Sequence, residues 1–179
     1  IVMRLVGSEM CIRDSHYAGH GDYDARSPEK SGICFWEEPN RGGPISKMPA
    51  TELKRLMTGS QIRFVYLSCC RGTQSASSSK LLDDDFFGIA DGISQAGIPS
   101  IFGFRWAVSD HRTKDLALSF YNSLAFHGQL DTALLDARSE VAGQDRDDLA
   151  WLSPILIMQD QELMDNPILK LSGFMTRWI

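Results

Sequence analysis

Short apolar runs and longer amphipathic stretches alternate along most of the chain. Three runs are rich in β-branched and aromatic residues: Gln61–Ser68 (QIRFVYLS), Ile98–Phe104 (IPSIFGF) and Ser153–Met158 (SPILIM). Each is shorter than an ordinary helix and reads as a buried strand. Between them the hydrophobic period lengthens. Asp84–Ala96 has apolar residues at helical spacing, acidic residues at its start and Gly97 just beyond its end, which are start and stop signals of a helix. His111–Phe126 is a second amphipathic helix, closed by His127 and Gly128. A third covers Gln129–Ala142, with Leu130, Ala133, Leu134, Ala137 and Val141 on one face. Pro49–Met57 reads as a shorter helix, with Thr51 or Ser46 as its cap, and Gly32–Trp36 as one arm of a hairpin turning at Asn40–Pro44. Strands alternating with helices imply an α/β fold with a mostly parallel central sheet covered on both faces. In such sheets the active site lies beyond the carboxyl ends of the strands. The Ser-rich stretch Thr73–Lys80 follows a strand directly and reads as a loop at that edge. After Gln159 the periodicity is weak.

Composition narrows the class. A chain of 179 residues is one domain by default, and it can bury about 70% of its unfolded surface without metals or disulfide staples. With 43% hydrophobic and 23% charged residues, disorder and coiled-coil architecture are excluded. Lys plus Arg is 18 and Asp plus Glu 23, a net charge of −5, so nothing points to a nucleic-acid partner. No apolar run approaches the roughly 18 residues of a membrane span. Four cysteines without framework spacing fit a reducing compartment, hence a cytoplasmic location. Residues 1–15 (IVMRLVGSEMCIRDS) stand apart. Scattered charges exclude a secretory signal, and the run Glu9–Ser15 resembles a translated transposon-end adapter from a sequencing library. The expected organisation is a non-native segment over 1–15, a core over 16–160 that has lost upstream strands, and a tail over 161–179.

Two clusters can carry chemistry. In Leu67-Ser68-Cys69-Cys70-Arg71-Gly72 a cysteine ends a buried strand, where a nucleophile belongs. A free thiol has a pKa of about 8.5 and needs a neighbouring base or positive charge to ionise at neutral pH. The other cluster, His16-Tyr17-Ala18-Gly19-His20-Gly21, offers that base. Glycines flanking His20 suit a tight loop whose backbone N–H groups can meet an oxyanion. Cys69 falls on the opposite face of the strand and reads as core, as does Cys34 in its apolar run. His16 and His20 have metal-ligand spacing for a helix, but the glycines argue against a helix and no further ligand completes a set, so neither a metal nor a cofactor is expected. Asp83, Asp84 and Asp85 are read as favourable charge at a helix N-terminus. Asp110 is read first as the cap of the helix at His111. Trp106, Arg105 and Asp110 follow the second strand and are weak candidates for a substrate pocket, with Arg71 a further cation.

His20 precedes Cys70 by 50 residues (70 − 20), close to the separation of histidine and cysteine in caspases, whose signature is Q-A-C-[RQG]-G. The chain resembles a CHAT domain, of the caspase and separase-like cysteine peptidases. HYAGHG resembles the family's H-x-G-H-G, and LSCC its L-S-A-C strand end. GIADGISQAGIPSIFGFRWAVSD, SFYNSLAFHGQLDTALLDAR and DLAWLSPILIM resemble its later helices and strands, in order, over roughly residues 16–158. The resemblance implies a caspase-like α-β-α sandwich and a cysteine endopeptidase, often a regulated bacterial protease module whose parent chain carries tetratricopeptide repeats. It implies Cys70 as nucleophile, His20 as general base and acid, and backbone N–H groups of Gly21 and Cys70 as the oxyanion hole. A protein or peptide is the implied substrate. Departures are clear: Ser68 stands where caspases have the Gln that supports Asp specificity, Arg71-Gly72-Thr73 follows the cysteine, and the strand before the histidine motif is replaced by the adapter-like segment. The rival from another class is a catalytically silent CHAT-like module for protein interaction or signalling. A hydrolase of other amides or thioesters is a third reading; no G-x-S-x-G elbow is present for a serine version.

Overall fold

The computed structural model describes residues 14–22, 24, 27–36, 45–70 and 85–159. Six strands are present in it: β1 (Asp14–Asp22), β2 (Gly32–Trp36), β3 (Ile45–Pro49), β4 (Phe64–Cys70), β5 (Ser100–Phe104) and β6 (Pro154–Met158). Four helices accompany them: α1 (Ala50–Met57), α2 (Asp85–Gln95), α3 (Asp110–His127) and α4 (Leu130–Gln144). The strands form one sheet in the order β3-β2-β1-β4-β5-β6. The α/β class stands as expected. The sheet, however, is mixed: β1–β4 and β4–β5 are parallel, whereas β1–β2 and β2–β3 are antiparallel. The reason lies in the connections. Only residues 23–31 separate β1 from β2 and only 37–44 separate β2 from β3, and a parallel crossover needs a dozen or more.

Two compact units are distinguished. The first takes the described residues up to Ala107 together with Ile157–Gln159; the second is Val108–Leu156. In the first unit, the strands β4 and β5 are buried almost throughout: Phe64, Val65, Tyr66, Leu67 and every residue of β5 lie out of water. That two-faced burial is why their sequences read as unbroken apolar runs. Tyr66 stacks on Phe102 with ring centroids 4.2 Å apart, and Phe104 meets Phe102 edge-on at 5.6 Å. Helix α1 buries Ala50, Leu53 and Met57 and packs on α2. Neither expected cap serves it: Pro49 occupies the N-cap position without a side-chain hydrogen bond, and Ser46 lies within β3. Its far end is closed by Thr58, whose N–H and hydroxyl both donate to the Lys54 carbonyl. The end of β6 joins the same unit, where the Gln159 N–H donates to the Pro99 carbonyl at 2.8 Å.

Gly32 marks a close approach. It pairs with Pro49, and a Cβ there would stand 2.2 Å from the Met48 carbonyl oxygen and 2.9 Å from the Pro49 Cα. Those are backbone atoms and cannot rotate away. Gly32→Ala is expected to cost about 1–3 kcal/mol as an overpacking substitution, lowering the melting temperature by roughly 5 °C. Gly143→Ala in α4 meets nothing within 4 Å and is the matched control, expected to hold or slightly raise stability. Circular-dichroism melts compare the two; a Gly32→Ala melt that overlays the wild type would refute the close approach.

In the second unit, Ser119 and Ser123 of α3 donate to Glu140 and Asp136 of α4, so the two helices run antiparallel. Arg112 donates to Asp148 at 2.7 Å and to Gln144 at 2.9 Å, tying the start of α3 to the chain beyond α4. The backbone N–H of Ala150, then Arg112, holds the Asp148 carboxyl below its usual range. Gly128 ends α3 in the left-handed conformation at φ 75°, as its position after His127 implied. The α3 cap is Ser109, whose hydroxyl accepts from the Arg112 N–H, so Asp110 is the first helical residue and not the cap. Among the described residues, no helix is long and apolar enough to cross a membrane.

Candidate active site

The histidine motif is not a loop. HYAGHG lies within β1, a nine-residue strand between β2 and β4, and Asp14 and Ser15 of the preceding run belong to the same strand. β1 pairs with β4 in parallel from Asp14↔Phe64 through to His20↔Cys70. Every pair has an offset of 50 residues, so the spacing noticed in the sequence is the register of the two strands. Neighbouring strands run about 4.8 Å apart. His20 and Cys70 therefore occupy opposite positions, and β4 reaches its carboxyl end at Cys70.

On the other side of His20 stands Cys34 of β2, also in register, and beyond it Lys47 of β3. The row Lys47–Cys34–His20–Cys70 thus crosses four adjacent strands. Lys47 Nζ donates to Asp22 Oδ2 at 2.7 Å; Asp22 is two residues beyond His20 and so on the same face of β1. Cys34 is half-buried and free, not a core cysteine as its apolar run implied. Burial pushes its thiol upward, the Asp22 carboxylate adds to that, and Lys47 opposes it. Cys69 is 6% exposed and does belong to the core. Gly21 pairs with Ile33 in the β1–β2 ladder, so an N–H offered to an oxyanion there comes from a strand and not from a turn.

His16 sits four residues before His20 on the same face, its ring 4.5 Å from that of Tyr66. Desolvation pushes its imidazole below the ordinary value. Four residues of strand span about 13 Å, so the two histidines cannot share an ion. Arg105 is exposed and Trp106 half-buried. Both directly follow β5, the neighbour of β4, and so leave the sheet at its carboxyl edge. Asp110 opens α3 in the second unit. Arg71, the Ser-rich stretch, Asp83 and Asp84, the Asn40–Pro44 turn, residues 1–13 and the tail beyond 160 lie outside the described residues.

Tyr17 is the participant that the sequence did not single out. Its hydroxyl accepts from the Cys34 N–H at 3.2 Å. It lies 2.9 Å from the His20 carbonyl and 2.6 Å from the Cys34 carbonyl, either of which its proton can serve. Gly19 makes this possible: a Cβ there would lie 2.5 Å from the hydroxyl. The phenol is flat against the sheet where a side chain at position 19 would stand, and Phe35 closes on it edge-on at 5.6 Å. Burial pushes the Tyr17 hydroxyl up to about 12, so it keeps its proton at any working pH. The available signal was an aromatic residue two positions before a glycine on one strand face.

The family model described as CHAT domain matches residues 15–169 of the chain. No curated protein matches it.

Proposed function

The chain belongs to the CHAT domain family, a family of the caspase-like clan related to cysteine peptidases, and on that premise we propose that it is a cysteine endopeptidase acting through Cys70 and His20. The observation that carries the reading is the register His20↔Cys70 at the carboxyl end of β4. Opposite positions on parallel strands bring a base and a nucleophile within side-chain reach, and that edge is where α/β sheets present their sites. His20 accepts the thiol proton. The Cys70 sulfur adds to the scissile carbonyl carbon, and the negative charge moves to the carbonyl oxygen, which the backbone N–H groups of Gly21 and Cys70 receive. As the C–N bond breaks, the imidazolium gives its proton to the leaving amine and a thioester remains. Water then attacks the thioester with His20 again taking a proton, and the acid product and free thiol are released. Arg105 and Trp106 line the pocket for the substrate side chain in this reading.

The test is labelling with peptidyl acyloxymethyl ketones bearing Arg, Asp or Leu at P1, read by intact mass and peptide mapping. Labelling is expected at Cys70, to slow several-fold in His20→Ala, and to spare Cys34 and Cys69. A folded protein that no probe labels would sink the peptidase reading and leave the interaction module.

A further inference from the structure

The geometry points to Tyr17 as a positioning residue for His20, its hydroxyl clamping the backbone of His20 to that of Cys34 beside the proposed dyad. The inference rests on the dyad reading above and goes beyond it. A hydroxyl has one proton to donate and two lone pairs to accept with. Here one oxygen meets the N–H and C=O of Cys34 and the C=O of His20. It thereby links β1 to β2 at the residue that stands between Cys34 and Cys70. Strand ends fray where their bonds are few, and β4 ends at this same row. A base displaced by about 1 Å can cost a hundredfold in rate, so a bond that holds the backbone of His20 has a catalytic consequence without touching substrate. Two details show the clamp to be built in. Gly19 leaves the space that the phenol fills. The hydroxyl is partly buried and stays protonated, so the bond does not switch with pH.

Tyr17→Phe keeps the ring and removes only the clamp. It is expected to lower kcat about tenfold or more with KM within about twofold, with little change in circular dichroism. The acid limb of Cys70 alkylation should also move about one pH unit toward that of a free thiol, because a loosened imidazolium holds the thiolate less well. A purely structural tyrosine would not move that limb. Among the described residues, the ionisable groups around His20 on its face are Cys34, Cys70, Asp22, Lys47 and His16, and Cys69 and Cys34 adjoin Tyr17; none is altered by the substitution. Amide exchange at Cys34 is expected to quicken at least about tenfold once its acceptor is gone. Gly19→Ala leaves the hydroxyl but fills its berth, and should reproduce the same three changes. It carries the test if Tyr17→Phe fails to fold. Wild-type kcat and an unmoved acid limb in Tyr17→Phe would overturn the positioning role while the dyad stands. Absence of His20-dependent Cys70 reactivity in the wild type would instead overturn the dyad, and the positioning role with it.

Discussion

His20→Ala is expected to lower peptide hydrolysis by about a thousandfold or more, while alkylation of Cys70 at pH 6.5 slows less than about tenfold. The gap between the two losses is the signature of a residue with two duties. For alkylation only the thiolate matters. Without His20 the thiol is left nearer the ordinary value of a free one, and less of it is thiolate at pH 6.5. The surviving thiolate is more basic and intrinsically more nucleophilic, which offsets part of that loss. Hydrolysis has no such offset. It also loses proton delivery to the leaving amine, a contribution of about a hundredfold to ten-thousandfold. Cys70→Ala should abolish both reactions. Cys34 is the internal control: it flanks His20 on the other strand, but burial and Asp22 keep it a thiol, so peptide mapping should find it unmodified at pH 6.5. Equal losses in alkylation and hydrolysis would leave His20 with the ionisation duty alone. No loss in either would remove it from the site.

The contrast between Cys34 and Cys70 bears on what a sequence can disclose. The apolar run around Cys34 implied a buried residue, because neighbours in sequence suggest surroundings. Its true environment is set by β1 and β3, which bring His20 and Lys47 beside it. β4 and β5 were legible because burial makes them apolar whatever they pair with, and α3 and α4 because their buried faces repeat at helical period; β6 was legible as an apolar run, although past Pro154 it is only half-buried and not the buried strand expected. β1 was not. Its sequence DSHYAGHGD has two glycines and two aspartates, poor strand formers, and His16, Gly19, His20 and Asp22 are exposed. It is a strand because β2 and β4 pair with it on both sides. The 50-residue interval from His20 to Cys70 was visible as a number, but its meaning as a register needed β1 to be recognised. Direction was lost for a similar reason. Alternating strands and helices argue for parallel pairing, but the nine residues between β1 and β2 leave no room for a crossover. Tyr17 escaped notice because a hydroxyl bonded to backbone leaves no trace in composition; only the glycine two residues later hints that something lies over it.

Phe102→Ala is the substitution expected to cost most in stability. Phe102 has no exposure to water and stacks on Tyr66 at 4.2 Å, and Tyr66 in turn stands 4.5 Å from His16. Truncating a fully buried phenylalanine costs about 3–5 kcal/mol, the lost transfer energy plus the cavity left behind. Against a typical total of about 5–15 kcal/mol that is a large share, and the melting temperature should fall by roughly 10 °C. Phe102→Leu nearly preserves volume and should cost under about 1.5 kcal/mol. The pair separates core packing from chemistry. Phe102 pairs with Tyr66, four residues before Cys70 on β4, and it reaches the site only through the fold. Well below its own melting temperature, Phe102→Ala should therefore keep the wild-type acid limb of Cys70 alkylation, the property that Tyr17→Phe is expected to move without comparable destabilisation. If Phe102→Ala melts no lower than Phe102→Leu, the stack is not the centre of the first unit. If it shifts the acid limb as Tyr17→Phe does, the site is governed by the general rigidity of the sheet, and the hydroxyl clamp is not needed to explain it.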